Sequence, residues 1–85
     1  MIFSITVIKC IYEILEILNN KNTNYAYLYK EIGISHETLQ TALRFLQEKK
    51  FITKEDRGHK KSFYEISEKG KKYFSLMKAL KELEN

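Results

Sequence analysis

Gln40 and Arg44, four residues apart, carry the planar hydrogen-bonding groups that pair best with the edges of nucleic-acid bases. Farther along, Arg57-Gly58-His59-Lys60-Lys61 gathers charge around a glycine, a combination suited to a turn lying on a polyanion. Each group has a plainer reading. A solvated helix face accounts for the first, and lysines that blunt an edge strand against aggregation account for the second. Covalent chemistry has less to work with, because no paired-acid, nucleophile–base or phosphate-loop motif is present. His36 and His59 form no ligand set with Cys10, the one cysteine. No metal, cofactor or intrachain disulfide is therefore expected.

The elements that would position these residues follow from periodicity. Ser4 caps a helix over about residues 5–19 whose apolar arc covers more than half its circumference, from Ile8, Ile11, Tyr12, Leu15 and Leu18 round to Val7, Cys10, Ile14 and Ile17. One neighbouring face cannot cover so wide an arc, so burial on two sides is expected. A polar turn (NNKNTN) leads to a short helix over 25–32 that stops at Gly33. Ser35 caps a third helix over 36–49, with Leu39, Leu43 and Leu46 turned inward and Gln40 and Arg44 turned out. Two helices joined by a short glycine-containing turn make a helix-turn-helix. Phe51, Ile52, Phe63, Tyr64 and Ile66 are strand formers on either side of Gly58, giving a hairpin over about 51–66. Ser67 caps a last helix over 68–84 with Tyr73, Leu76, Leu80 and Leu83 in one stripe and Met77 beside it. The fold class is thus mainly α with a β-hairpin, in one domain of 85 residues.

Charge follows the same division. The formal net charge is +4, yet residues 1–48 hold four basic residues against five acidic. Residues 49–72 hold nine against four, so the excess sits in the stretch that includes the hairpin. The apolar N-terminus is broken by Lys9, Glu13 and Glu16 and has no basic residue ahead of it, which argues against a signal peptide or a membrane span and for a cytoplasmic protein.

Three stretches, LYKEIGIS (28–35), SHETLQTALRFLQEKKFI (35–52) and YEISEKGKKY (64–73), stand in the order and at the distances found in winged helix-turn-helix transcriptional regulators. Over about residues 11–72 the chain resembles that family, especially the small dimeric members from archaea and their viruses, including the MarR-like type. Two positions depart from the family pattern. Tyr29 replaces the small residue at the crossing of the two helices, and Lys50 replaces the glycine after the recognition helix. A left-handed Lys50 would cost about 1 kcal/mol.

The resemblance implies a partner, double-stranded DNA, and places helix 36–49 in the major groove. Arg44 then suits guanine and Gln40 adenine, with His36, Thr38 and Thr41 beside them, while Glu48 would repel phosphate. Lys54, Arg57, His59, Lys60 and Lys61 would lie along the minor groove or the backbone. Phe45 is expected to pack beneath the wing. The resemblance also implies a homodimer through the terminal helices, and the apolar surplus points the same way. The expected self-contact comprises Val7, Cys10, Ile14 and Ile17 with Tyr73, Leu76, Met77, Leu80 and Leu83, and it allows a Cys10–Cys10 bridge near a two-fold axis. A protein-binding winged helix and a non-specific architectural nucleic-acid binder are the alternatives.

Overall fold

The computed structural model describes residues 3–56 and 62–84. In chain order the elements are α1 (Ile5–Asn20), β1 (Thr23–Asn24), α2 (Tyr25–Ile32), α3 (His36–Glu48), β2 (Ile52–Asp56), β3 (Ser62–Ile66) and α4 (Glu68–Glu84). Among the described residues no helix is long and apolar enough to cross a membrane.

α1 is the hub. Ser4 accepts a hydrogen bond from the Val7 amide at 3.3 Å and starts the helix. Cys10, Ile11, Ile14, Leu15 and Leu18 are all buried, and α1 packs on α2, α3, α4 and β3. The wide apolar arc is therefore consumed on more than one side, as its width requires. α2 is capped by the Asn24 side chain and ends on Gly33, whose φ of 64° favours a residue without a Cβ. Ser35 caps α3, and Leu39, Ala42, Leu43 and Leu46 press that helix on the core. Lys50 does adopt a left-handed conformation, at φ 62°, directly after α3.

The sheet has three antiparallel strands in the order β1-β3-β2. Ile52 pairs with Ile66 and Lys54 with Tyr64, so those positions share the face turned to the helices. The turn read from NNKNTN contains a strand as well: Thr23 is buried and pairs with Tyr64. At the base of the hairpin, the Ser67 hydroxyl lies 2.8 Å from the Lys50 carbonyl and 3.0 Å from that of Phe51, and it accepts the Gly70 amide at 3.0 Å.

The expected self-contact surface needs correcting. Cys10 and Ile14 are 1% and 0% exposed, inside the chain's own core, because α3 and its leucines occupy that side of α1. They are not available to a second copy, and a Cys10–Cys10 bridge is incompatible with this packing. Val7, Ile17, Tyr73 and Met77 are half-buried against the same core, and Tyr73 stacks on Phe51 at 4.1 Å. Leu76, Leu80 and Leu83 remain exposed, at 70%, 57% and 83%, and Ile5 and Ile8 are the exposed apolar residues of α1. The inward residues of α4 are Gly70 and Phe74, the latter packed on Tyr12 and outside the stripe read from sequence.

Two experiments follow from this packing. A Cβ on Gly70 would stand 2.0 Å from the Phe51 carbonyl oxygen, whereas one on Gly33 would meet nothing within 4 Å. Gly70→Ala should therefore destabilise by at least about 3 kcal/mol, the upper end of overpacking costs, and Gly33→Ala by about 1–2 kcal/mol from its backbone conformation. Urea unfolding of the two variants measures the difference, and equal losses would contradict the close approach. Burial, reinforced by Glu13, pushes the Cys10 thiol up to about 11. At neutral pH a maleimide should label the native protein far more slowly than the urea-unfolded chain, and equal rates would place Cys10 at the surface.

Candidate nucleic-acid interface

α3 presents one face to the core and the other to solvent. His36, Glu37, Gln40, Arg44 and Glu48 are exposed, and Thr38 and Thr41 are half-buried between the two faces. The capping serine fixes the first turn, since Ser35 accepts the Thr38 amide at 3.2 Å and its hydroxyl donates to that of Thr38 at 3.0 Å. Thr38 keeps its own proton for an outside acceptor. The Thr41 hydroxyl donates to the Glu37 carbonyl at 2.9 Å, leaving it no proton for a phosphate, only an oxygen that accepts and a methyl group.

Between α3 and the hairpin lies an open crevice lined by Tyr25, Gln40, Arg44, Glu48, Lys54 and Tyr64. Arg44 reaches it from the helix and Lys54 from β2, opposite Tyr64. Among the described residues, neither cation is held in an ion pair or hydrogen bond. Both are thus free to meet an anion or a base edge, with Glu48 limiting the C-terminal end of the face. Burial pushes the Tyr64 phenol up, with Tyr25 and Asp56 adding to the effect. Arg57, His59, Lys60 and Lys61 lie outside the described residues.

The sequence pattern does not show how the start of α3 is braced. Tyr25 and Tyr29, one turn apart on α2, flank His36. The Tyr25 hydroxyl is 2.8 Å from His36 Nδ1, and the Tyr29 ring stacks on the imidazole at 3.8 Å with only 4° between planes. Burial pushes the Tyr25 phenol up, and a hydrogen bond with the Gln40 side chain opposes that shift. Tyr29 thus joins α2 to the first residue of α3. It is 38% exposed. The one signal in the sequence is the i,i+4 spacing of the two tyrosines, which puts them on one helix face. Phe45 packs on Phe51 at the base of the hairpin, at 6.3 Å, and edge-on to Phe3 at 5.0 Å, so the N-terminal segment covers it as well.

Charge is more divided than the sequence pattern implied. Of the nine basic residues in 49–72, five (Lys49, Lys50, Lys69, Lys71 and Lys72) lie off the hairpin, where α3 ends and α4 begins. Lys69 donates to the Lys49 carbonyl at 2.9 Å, and Lys71 pairs with Glu68 at 3.4 Å.

A helix-turn-helix followed by a hairpin and a closing helix, with the outer face of the second helix free, defines the winged helix-turn-helix class. Residues 6–85 match the family model described as winged helix-turn-helix, and the chain belongs to that family. Among solved structures it is similar to a transcriptional regulator from Clostridium thermocellum, at 22% identity and a TM-score of 0.83, covering 96% of this chain and 90% of that one. A Streptococcus mutans protein matches at 18% identity and a TM-score of 0.82, covering 98% and 85%. Lactococcus lactis ZitR, a zinc-responsive MarR family member, matches in its complex with DNA at 19% identity and a TM-score of 0.64, covering 87% of this chain and 57% of ZitR. At these identities the likeness establishes a shared fold. No curated protein matches the chain in sequence.

Proposed function

We propose that this winged helix is a sequence-specific, double-stranded DNA-binding transcriptional regulator that acts as a homodimer. The observation that carries the reading is the outer face of α3, where Arg44 stands unpaired across an open crevice from Lys54. In this reading the N-terminal two-thirds of α3 enters the major groove. Arg44 addresses guanine O6 and N7, and Gln40 addresses adenine N6 and N7. Lys54 and the basic hairpin residues Arg57, His59, Lys60 and Lys61 neutralise phosphate along the minor groove or the adjoining backbone. The role is binding, with no covalent step assigned to any residue.

Dimerisation is supported by the apolar ridge that the core leaves uncovered. Ile5 and Ile8 of α1 and Leu76, Leu80 and Leu83 of α4 are all exposed, and Ile8, Leu76 and Leu80 border one groove between these helices. A two-fold interface would bury this surface and present two copies of α3 to a pseudo-palindromic site.

Arg44→Ala should weaken binding to a selected site by about 1–3 kcal/mol and relax specificity at one position, without unfolding the protein, because the side chain faces away from the core. Lys60→Ala with Lys61→Ala should instead weaken all duplexes alike. It should also flatten the salt dependence by about 0.9 for each phosphate that is no longer neutralised. Fluorescence anisotropy at two salt concentrations separates these effects. Absence of duplex binding by the unaltered protein would favour the protein-binding alternative. Sedimentation equilibrium of Leu80→Glu tests the dimer: a fall to the monomer mass is expected, and an unchanged dimer mass would move the interface elsewhere.

A further inference from the structure

We infer that Tyr25 and Tyr29 are positioning residues that lock His36 as a phosphate-backbone donor through Nε2–H, an inference that rests on the DNA-binding reading. His36 is exposed, yet its ring is held on two sides. Tyr29 covers one face at 3.8 Å, and the Tyr25 hydroxyl engages Nδ1 at 2.8 Å. Tyr25 itself is stacked parallel to both, 6.4 Å from Tyr29 and 5.7 Å from His36. A side chain free in solvent gains little from such restraint. One that must meet a partner in a single orientation loses less entropy on binding.

The direction of the hydrogen bonds follows from the donors present. Tyr25 has one proton, and its hydroxyl lies 2.8 Å from Nδ1. A phenol donates more readily than it accepts, and an imidazole nitrogen is the better acceptor of the two, so the Tyr25 proton is directed to Nδ1. A neutral imidazole that accepts at Nδ1 carries its own proton on Nε2, at the opposite edge of the ring. The bond from Tyr25 to His36 thus leaves an outward N–H beside the first turn of α3, where Thr38 also has a proton to give. Two donors there suit the non-bridging oxygens of one phosphate better than a base edge, whose pattern differs from pair to pair.

The test joins spectroscopy to binding. In the free protein, 15N shifts of the His36 ring should report the Nε2–H tautomer, and in Tyr25→Phe a mixture of the two; an Nδ1–H tautomer in the unaltered protein would overturn the inference. His36→Ala should weaken every duplex by about tenfold, and Tyr25→Phe by about threefold, with sequence preference retained. Full affinity in His36→Ala, while Arg44→Ala still loses specificity, would sink this inference and leave the DNA reading intact. A loss confined to one base position would make His36 a base reader and overturn the phosphate assignment. Failure of the unaltered protein to bind any duplex would bring down the DNA reading itself.

Discussion

The carbonyl of Phe51 is where three parts of the fold are fastened together. It accepts the Ser67 amide at 2.9 Å and lies 3.0 Å from the Ser67 hydroxyl, while Gly70 passes so near that a methyl group would not fit. The Phe51 amide in turn bonds the Leu46 carbonyl, which ties the same residue to the end of α3. α3, the hairpin base and the start of α4 therefore share one residue. The left-handed Lys50 makes this possible, because it turns the chain out of α3 within a single step. The family's usual glycine would take that shape without strain, and here the surrounding hydrogen bonds hold a lysine in it.

That junction also sets how positive charge is distributed. A linear count assigns all nine basic residues of 49–72 to one region, but the fold sends five of them to the α3–α4 corner, apart from Lys54 on β2. Charge divided between separate places gives a broader field, weaker at any one point, than the same charge gathered in one. Lys69, whose ammonium sits on the Lys49 carbonyl and 5.2 Å from the Phe51 ring, is partly committed to closing the corner.

Much of the architecture was legible because local chemistry announces it. Ser4, Ser35 and Ser67 each bind the amide three residues on, Gly33 ends α2, and the leucines of α3 repeat at helical spacing. The outward set on α3 follows from that same period. What was not legible depends on partners distant in the chain. Periodicity shows that most of α1 is apolar, but not which half its own domain covers, so Cys10 and Ile14 looked available when they are central. Phe74 was hidden beside a more regular leucine stripe, and its role emerges only against Tyr12. The Tyr25–Tyr29–His36 stack spans a turn, and no single-element pattern contains it.

β1 has a kinetic consequence. Its two residues pair with β3, and Asn22 bonds Glu65 across 43 positions of chain. Closing a loop of that length costs about 3 kcal/mol of chain entropy before any pairing repays it. Two ladder positions and one exposed side-chain bond do not offset this alone. β1 should therefore join only after the helices have brought its ends near, and it should be among the first pairings to open in the native state. Asn24 belongs to this strand and also caps α2, one residue before Tyr25. The mount for the aromatic stack at the head of α3 is thus the last section of sheet to assemble, and the rigidity of that stack reports whether the whole domain has closed.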